Sequence, residues 1–216
     1  MGSQLNSRIS ASLGRIDPAF RARAVVGAGR GALVEAMFGA GWLGWGLGTA
    51  NAFNGLTGPT FGLTALFLLV CSIYVIRRGR LLRKKYPTVG ASTRTTLKWY
   101  LLVVLTEILG VILVMSLANR LHRADLGTDW CAMVVGLHFL PLAKVFRAPH
   151  LVVLGILMTL WCALCWTLFR SNALVISASL GTGILLWGSC VFVLVRAGRI
   201  ASSLRATVLS ETGING

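Results

Sequence analysis

Glu107 and His138 are ionisable residues placed in the middle of long apolar runs, where a charge is hardest to keep. Glu107 is centred in the run Lys98–Ala118 and His138 in the run Asp129–Phe146. Counted at about 1.5 Å per helical residue, they fall at one depth. The two runs are joined by a short connection, so the helices they form should be neighbours. An unpaired charge at a bilayer centre costs at least about 2.5–3.5 kcal/mol on insertion scales. A carboxylate facing an imidazole relieves that cost, because one proton can be shared between them. The chemistry open to such a pair is proton binding, or contact with a polar ligand near the midplane. The competing reading is a hydrogen bond that sets helix positions, a device worth only about 0.6 kcal/mol on average inside membranes.

A second pair is weaker. Glu35 in the first apolar run and Lys144 in the fourth lie at similar depths, about 10 Å to one side of the middle. They are candidates for an ion pair on the inner side, against the alternative that Lys144 reaches the headgroups along its own stem. Cys162 and Cys165 form a C-x-x-C, but inside an apolar run, where buried cysteine acts as a small apolar residue. His122, His138 and His150 sit on different segments, so no histidine pair has the spacing of a metal site. There is no Walker loop, dinucleotide fingerprint or nucleophile elbow. No metal and no cofactor is expected.

The elements that must position these residues are six apolar runs, Gly31–Ala52, Pro59–Ile76, Lys98–Ala118, Asp129–Phe146, His150–Phe169 and Ala173–Val195. Each is close to the ~20 residues that carry a helix across a bilayer core. The expected fold is all-α, a polytopic integral membrane protein with six transmembrane helices. Of the 21 Lys and Arg, 18 fall in alternate segments on one side of that arrangement and 3 on the other. The positive-inside rule then places both termini in the cytoplasm. Residues 1–30 read as a basic cytoplasmic tail, with an interfacial helix starting at Asp17-Pro18 as a candidate within it. Residues 31–195 form the bundle and 196–216 a cytoplasmic C-terminal tail. The location expected is a cell membrane, the bacterial inner or plasma membrane first.

Hydrophobic residues make up 56% of the 216 and charged residues 12%, about half the charge of a soluble domain of this length. The net charge of +15 does not indicate nucleic-acid binding, because the basic residues flank apolar runs and share no folded face. They are orientation signals and contacts to anionic lipid. Arg77, Arg78, Arg80, Arg83, Lys84 and Lys85 are the strongest group, each worth roughly 1 kcal/mol near an anionic surface.

Packing signals are concentrated in the first run. Ala32, Ala36, Ala40, Gly44, Gly48 and Ala52 recur every four residues and predict a smooth ridge for close helix contact. Such a ridge would serve the bundle, self-association or a membrane partner. Pro141 predicts a kink in the fourth helix. The segment Asn119–Asp129 reads as a solvated outer turn. Three functions follow. The first is a small permease or channel-like protein with Glu107 and His138 at its working depth. The second is a non-catalytic scaffold or assembly factor. The third, least supported, is an intramembrane lipid-modifying enzyme, which lacks a nucleophile–base or metal constellation.

Overall fold

The computed structural model describes residues 18–85 and 93–211, and all regular secondary structure in them is helical. The helices are α1 (Pro18–Thr49), α2 (Thr57–Lys85), α3 (Thr93–Arg120), α4 (Ala124–Phe146), α5 (Pro149–Leu168) and α6 (Ser171–Glu211). Pro18 opens α1 and Pro149 opens α5, positions where a missing N–H is not needed. Several helices outrun their apolar runs. Arg and Lys are good helix formers, so the basic stretch after Ile76 stays helical to Lys85. Residues 18–30 are likewise the first turns of α1, not a separate interfacial helix.

Five helices contain segments long and apolar enough to cross a membrane: Thr57–Lys84, Lys98–Arg120, Ala124–Phe146, Pro149–Leu168 and Ser171–Leu204. α1 is not among them. Its glycines add length without apolar surface, and it carries Arg30 and Glu35. Bare apolar surface supports the membrane character. On α2, Leu63, Leu66 and Phe67 are exposed, and on α3 Leu105, Ile112 and Leu113. Water would not tolerate such faces on a monomer, whereas lipid covers them at no cost.

The chain divides into two compact units. The smaller takes the described parts of Met1–Leu33, Val70–Ala91 and Phe192–Gly216. Its core is Val25 of α1, Val75 of α2, and Ala197 and Ala201 of α6. Gly29 and Gly79 bring α1 and α2 close: a Cβ on Gly29 would lie 3.0 Å from the Ile76 backbone nitrogen, and one on Gly79 equally near that of Val26.

The larger unit is Val34–Leu69 with Ser92–Val191. Here α4 crosses α5 at Gly136 and Gly155, where a Cβ on Gly155 would stand 2.6 Å from the Gly136 carbonyl oxygen. α1 crosses α6 at Gly39 and Gly183, where a Cβ on Gly183 would stand 2.9 Å from the Gly39 carbonyl oxygen. Trp187 Nε1 donates to the Ala36 carbonyl at 3.1 Å and secures that crossing. Val135, Phe139, Leu142, Leu151, Leu154 and Met158 fill the space around the α4–α5 contact.

The four-residue ridge of α1 is only partly the packing face. Ala32 and Ala36 are fully buried, Ala40 and Gly44 half-buried, and Gly48 exposed. Ala52 lies past the helix end, since Asn51 takes a left-handed φ of 52° that closes α1. The reason is geometric. Steps of four residues turn about 400°, so such a stripe drifts about 40° per step around a helix of 3.6 residues per turn. The buried line in the larger unit is Ala36, Gly39, Leu43 and Gly46, spaced three, four and three. Accordingly, Gly44→Ala and Gly48→Ala should leave the melting temperature of the detergent-solubilised protein equal to the parent's or slightly higher. Their Cβ atoms would meet Phe61 at 3.6 Å and Phe53 at 3.8 Å, both ordinary contacts, while alanine is worth up to about 1 kcal/mol over glycine in a helix. A clear drop in either melting temperature would restore the ridge as a packing face.

The described connections are short and turn through left-handed residues. His122 (φ 53°) lies between α3 and α4, Arg147 (φ 52°) between α4 and α5, and Ser171 (φ 52°) begins α6. At Arg147 the turn is fastened by hydrogen bonds from its own N–H to the Lys144 carbonyl and from Ala148 N–H to the Ala143 carbonyl.

Candidate functional site, the Glu107–His138 pair

The site is built by the antiparallel packing of α3 on α4. A Cβ on Gly127 would lie 3.5 Å from that of Ala118, and a Cβ on Gly110 would lie 3.0 Å from Val134. Those two contacts set the alignment, and continuing it by one more turn puts Glu107 opposite His138. His138 Nε2 stands 3.4 Å from Glu107 Oε2. The two side chains are 13% and 18% exposed, so the pair is largely withdrawn from the surface.

His138 Nδ1 lies 3.2 Å from the Val135 carbonyl oxygen. A carbonyl can only accept, so Nδ1 carries the hydrogen in that bond. Nε2 therefore faces Glu107 either as the bare acceptor of a neutral imidazole or as the second N–H of an imidazolium. In the first state the carboxyl oxygen must hold the proton; in the second it is free of it. The position of one proton, on oxygen or on nitrogen, would decide whether such a pair is neutral or an ion pair. Three residues on, Pro141 sits inside α4 without ending it. Its missing N–H deprives the Leu137 carbonyl of the usual helical donor, one residue before His138.

Glu35 and Lys144 do not meet. Glu35 is 4% exposed and hydrogen-bonds the Ser189 side chain on α6, while its Oε2 has no partner among the described residues. Lys144 is exposed. Equal depth brought these two together in the sequence reading, but depth says nothing of which way a helix faces. At this level α1 faces α6, as the Trp187–Ala36 hydrogen bond records. The basic group on α2 has Arg77, Arg80, Arg83 and Lys84 exposed and Arg78 half-buried, with none in an ion pair among the described residues. Lys85 ends the helix, and its side chain lies outside the described atoms. Cys162 and Cys165 are buried free thiols.

Asp129 is the polar residue that the sequence reading misplaced. α4 begins at Ala124, so the expected turn Asn119–Asp129 is mostly helix and Asp129 lies in its second turn. It is 0% exposed, and both carboxylate oxygens lack a partner among the described residues. The signal was present: Leu126, Asp129, Gly136, Phe139 and Ala143 share the spacing of one buried helix face. Above it, Asp125 pairs with Arg123 at 2.9 Å and accepts the Ser171 backbone N–H at 3.2 Å. With this geometry in hand, comparison with known proteins adds nothing to it: the chain has no significant match to a protein-family model, a curated protein or a solved structure.

Proposed function

We propose that this protein is a six-span, N-in/C-in protein of a cell membrane, the bacterial inner or plasma membrane first, and that it works as a small permease or channel-like protein. The observation that carries the reading is the 3.4 Å contact between His138 Nε2 and Glu107 Oε2 at mid-helix. Intramembrane ionisable residues mark ion and substrate paths far more often than their cost would otherwise allow. A carboxylate–imidazole pair adds a proton that can be moved without leaving an orphan charge. In proteoliposomes the purified protein should pass small polar solutes or protons with a pH-dependent rate, and Glu107→Gln should alter that dependence. Absence of flux across a panel of ions and small polar solutes would sink the permease reading.

The scaffold reading is kept on one observation, the bare apolar faces of α2 and α3. No flux, together with co-purification of a fixed partner or a stable self-oligomer, would favour it. An intramembrane lipid-modifying enzyme is least supported. Anionic lipid remains the expected neighbour of the basic end of α2.

The topology has its own test. Reporter fusions at Thr57, Gly127 and Ser171 should read outside, and fusions at Gly90, Ala148 and the C-terminus inside. α1 needs a tag at the N-terminus, since a helix that fails to cross would put the N-terminus on the side of Thr57, opposite the C-terminus. A cytoplasmic signal at Gly127 would reverse the α3–α4 assignment.

A further inference from the structure

Asp129 stands apart from the pair just described. It lies nine residues before His138 on α4, roughly 14 Å along the axis at 1.5 Å per residue. It is fully buried with neither oxygen partnered among the described residues. An acid in that position needs an explanation, because a buried ionised carboxylate without a donor is among the costliest arrangements in a folded protein.

Its surroundings follow from the Gly136–Gly155 crossing. Seven residues, about two turns, back along α4 from Gly136 is Asp129; seven residues onward along antiparallel α5 from Gly155 is Cys162. The Asp129 carboxylate acts electrostatically on the thiols of both Cys162 and Cys165, and the Thr182 hydroxyl of α6 lies against Cys162. Ser179, one turn from Thr182 on α6, is equally buried with its hydroxyl unpartnered among the described residues. From α3 the neighbour at this level is Ala118, packed with Leu126, Cys165, Leu174 and Ala178. The titratable groups facing Asp129 are therefore Cys162 and Cys165 on α5, and on its own helix Asp125, which is already paired with Arg123. The two ion pairs among the described residues leave Asp129 out.

Three kinds of ligand could relieve such a carboxylate. A metal ion wants three or more His, Cys, Asp or Glu ligands converging, and no such group exists among the described residues. An alkali cation wants hard oxygen ligands all round, and two thiols are soft ones. A proton needs only the carboxyl oxygen itself. We infer that Asp129 is a proton-binding site, housed among Cys162, Cys165 and Thr182. It is loaded from the end of α4 where Asp125 sits one helical turn away with 13% of its side chain exposed. The bound state is the neutral acid. It carries no charge into the buried site, which an ionised carboxylate would. The inference does not rest on transport: a protein that moves nothing could still bind this proton.

Infrared spectroscopy of the full-length protein in detergent or liposomes tests it. The parent should show, as the pH is lowered from neutral into the mildly acidic range, the carbonyl stretch of a protonated carboxylic acid. Asp129→Asn should remove a component of that band, while Glu35→Gln and Glu107→Gln leave that component in place. Asn imitates the neutral acid in shape, so Asp129→Asn should also melt at or above the parent's temperature at neutral pH. A parent without the band, or an Asp129→Asn spectrum identical to it, overturns the inference. So does a melting temperature that rises when Na⁺ replaces a bulky organic cation in the parent but not in Asp129→Asn, which would assign the site to an alkali cation. If Asp129→Asn cannot be purified folded, Cys162→Ser serves instead. The new hydroxyl beside the acid should shift the band to lower frequency, and an unmoved band overturns the inference equally.

Discussion

Gly155→Ala should lower the stability of the solubilised protein by about 1–3 kcal/mol, the usual cost of forcing extra volume into a packed interior, and Gly155→Leu should leave little folded protein at all. The atom in the way is backbone: a Cβ on Gly155 would sit 2.6 Å from the Gly136 carbonyl oxygen and 3.2 Å from the Phe139 Cβ. Neither can swing aside as the tip of a side chain could, so α4 and α5 would have to separate. Separation is costly here because nothing like the hydrophobic effect pulls membrane helices together; close van der Waals contact through small residues does. Gly183→Ala should behave in the same way, its Cβ meeting the Gly39 carbonyl oxygen and the Leu43 backbone nitrogen, each at 2.9 Å. Gly188→Ala is the control, since a Cβ there meets nothing within 4 Å. Thermal melts in mild detergent decide the matter. If Gly155→Ala melts with the parent, the helices are not held at the distance described.

The second large effect is the coupling of Glu107 and His138. Glu107→Gln removes the carboxylate that imidazolium needs, and His138→Ala leaves a carboxyl group facing an apolar gap. Each single change should cost about 1–3 kcal/mol, the penalty for a polar group deprived of its partner in a largely buried setting. The double variant should cost less than the sum of the two by at least about 0.5 kcal/mol, because the second change removes what the first left stranded. Such a shortfall is expected of groups in contact. Additive costs would mean that the 3.4 Å approach carries no energy, and the permease reading would lose its working site.

These two residues could be found in the sequence because two independent clues agreed. Depth along the helix put them level, and a short connection made their helices antiparallel neighbours. Glu35 and Lys144 had the first clue without the second. They are level, but no short connection ties α1 to α4, and their side chains go elsewhere. The ridge of α1 failed for a related reason. A four-residue repeat is conspicuous to the eye, yet a helix of 3.6 residues per turn carries it off any fixed face. The contact line runs instead through Gly39 and Gly46, whose neighbours Trp187 and Leu180 are over 130 residues away and could not be foreseen. Asp129 was misread for the opposite reason. The charge of its segment suggested water, and that outweighed a spacing that matched the buried face of α4. The helical class and five of the six apolar segments were legible, since each rests on composition over some twenty residues and not on one contact; the run in α1 falls short of the spanning set.

The left-handed turns carry a mechanical consequence. Between α4 and α5 there are two residues, and between α5 and α6 two more. At full extension a link of that length lets the facing helix ends part by no more than about 11 Å, scarcely beyond the 8–10 Å at which packed helices already lie. Consecutive helices in this stretch are leashed to one another. They can tilt or rotate about their shared ends, but they cannot exchange neighbours. For α4 and α5 the widest relative excursions are therefore at the ends away from their shared link.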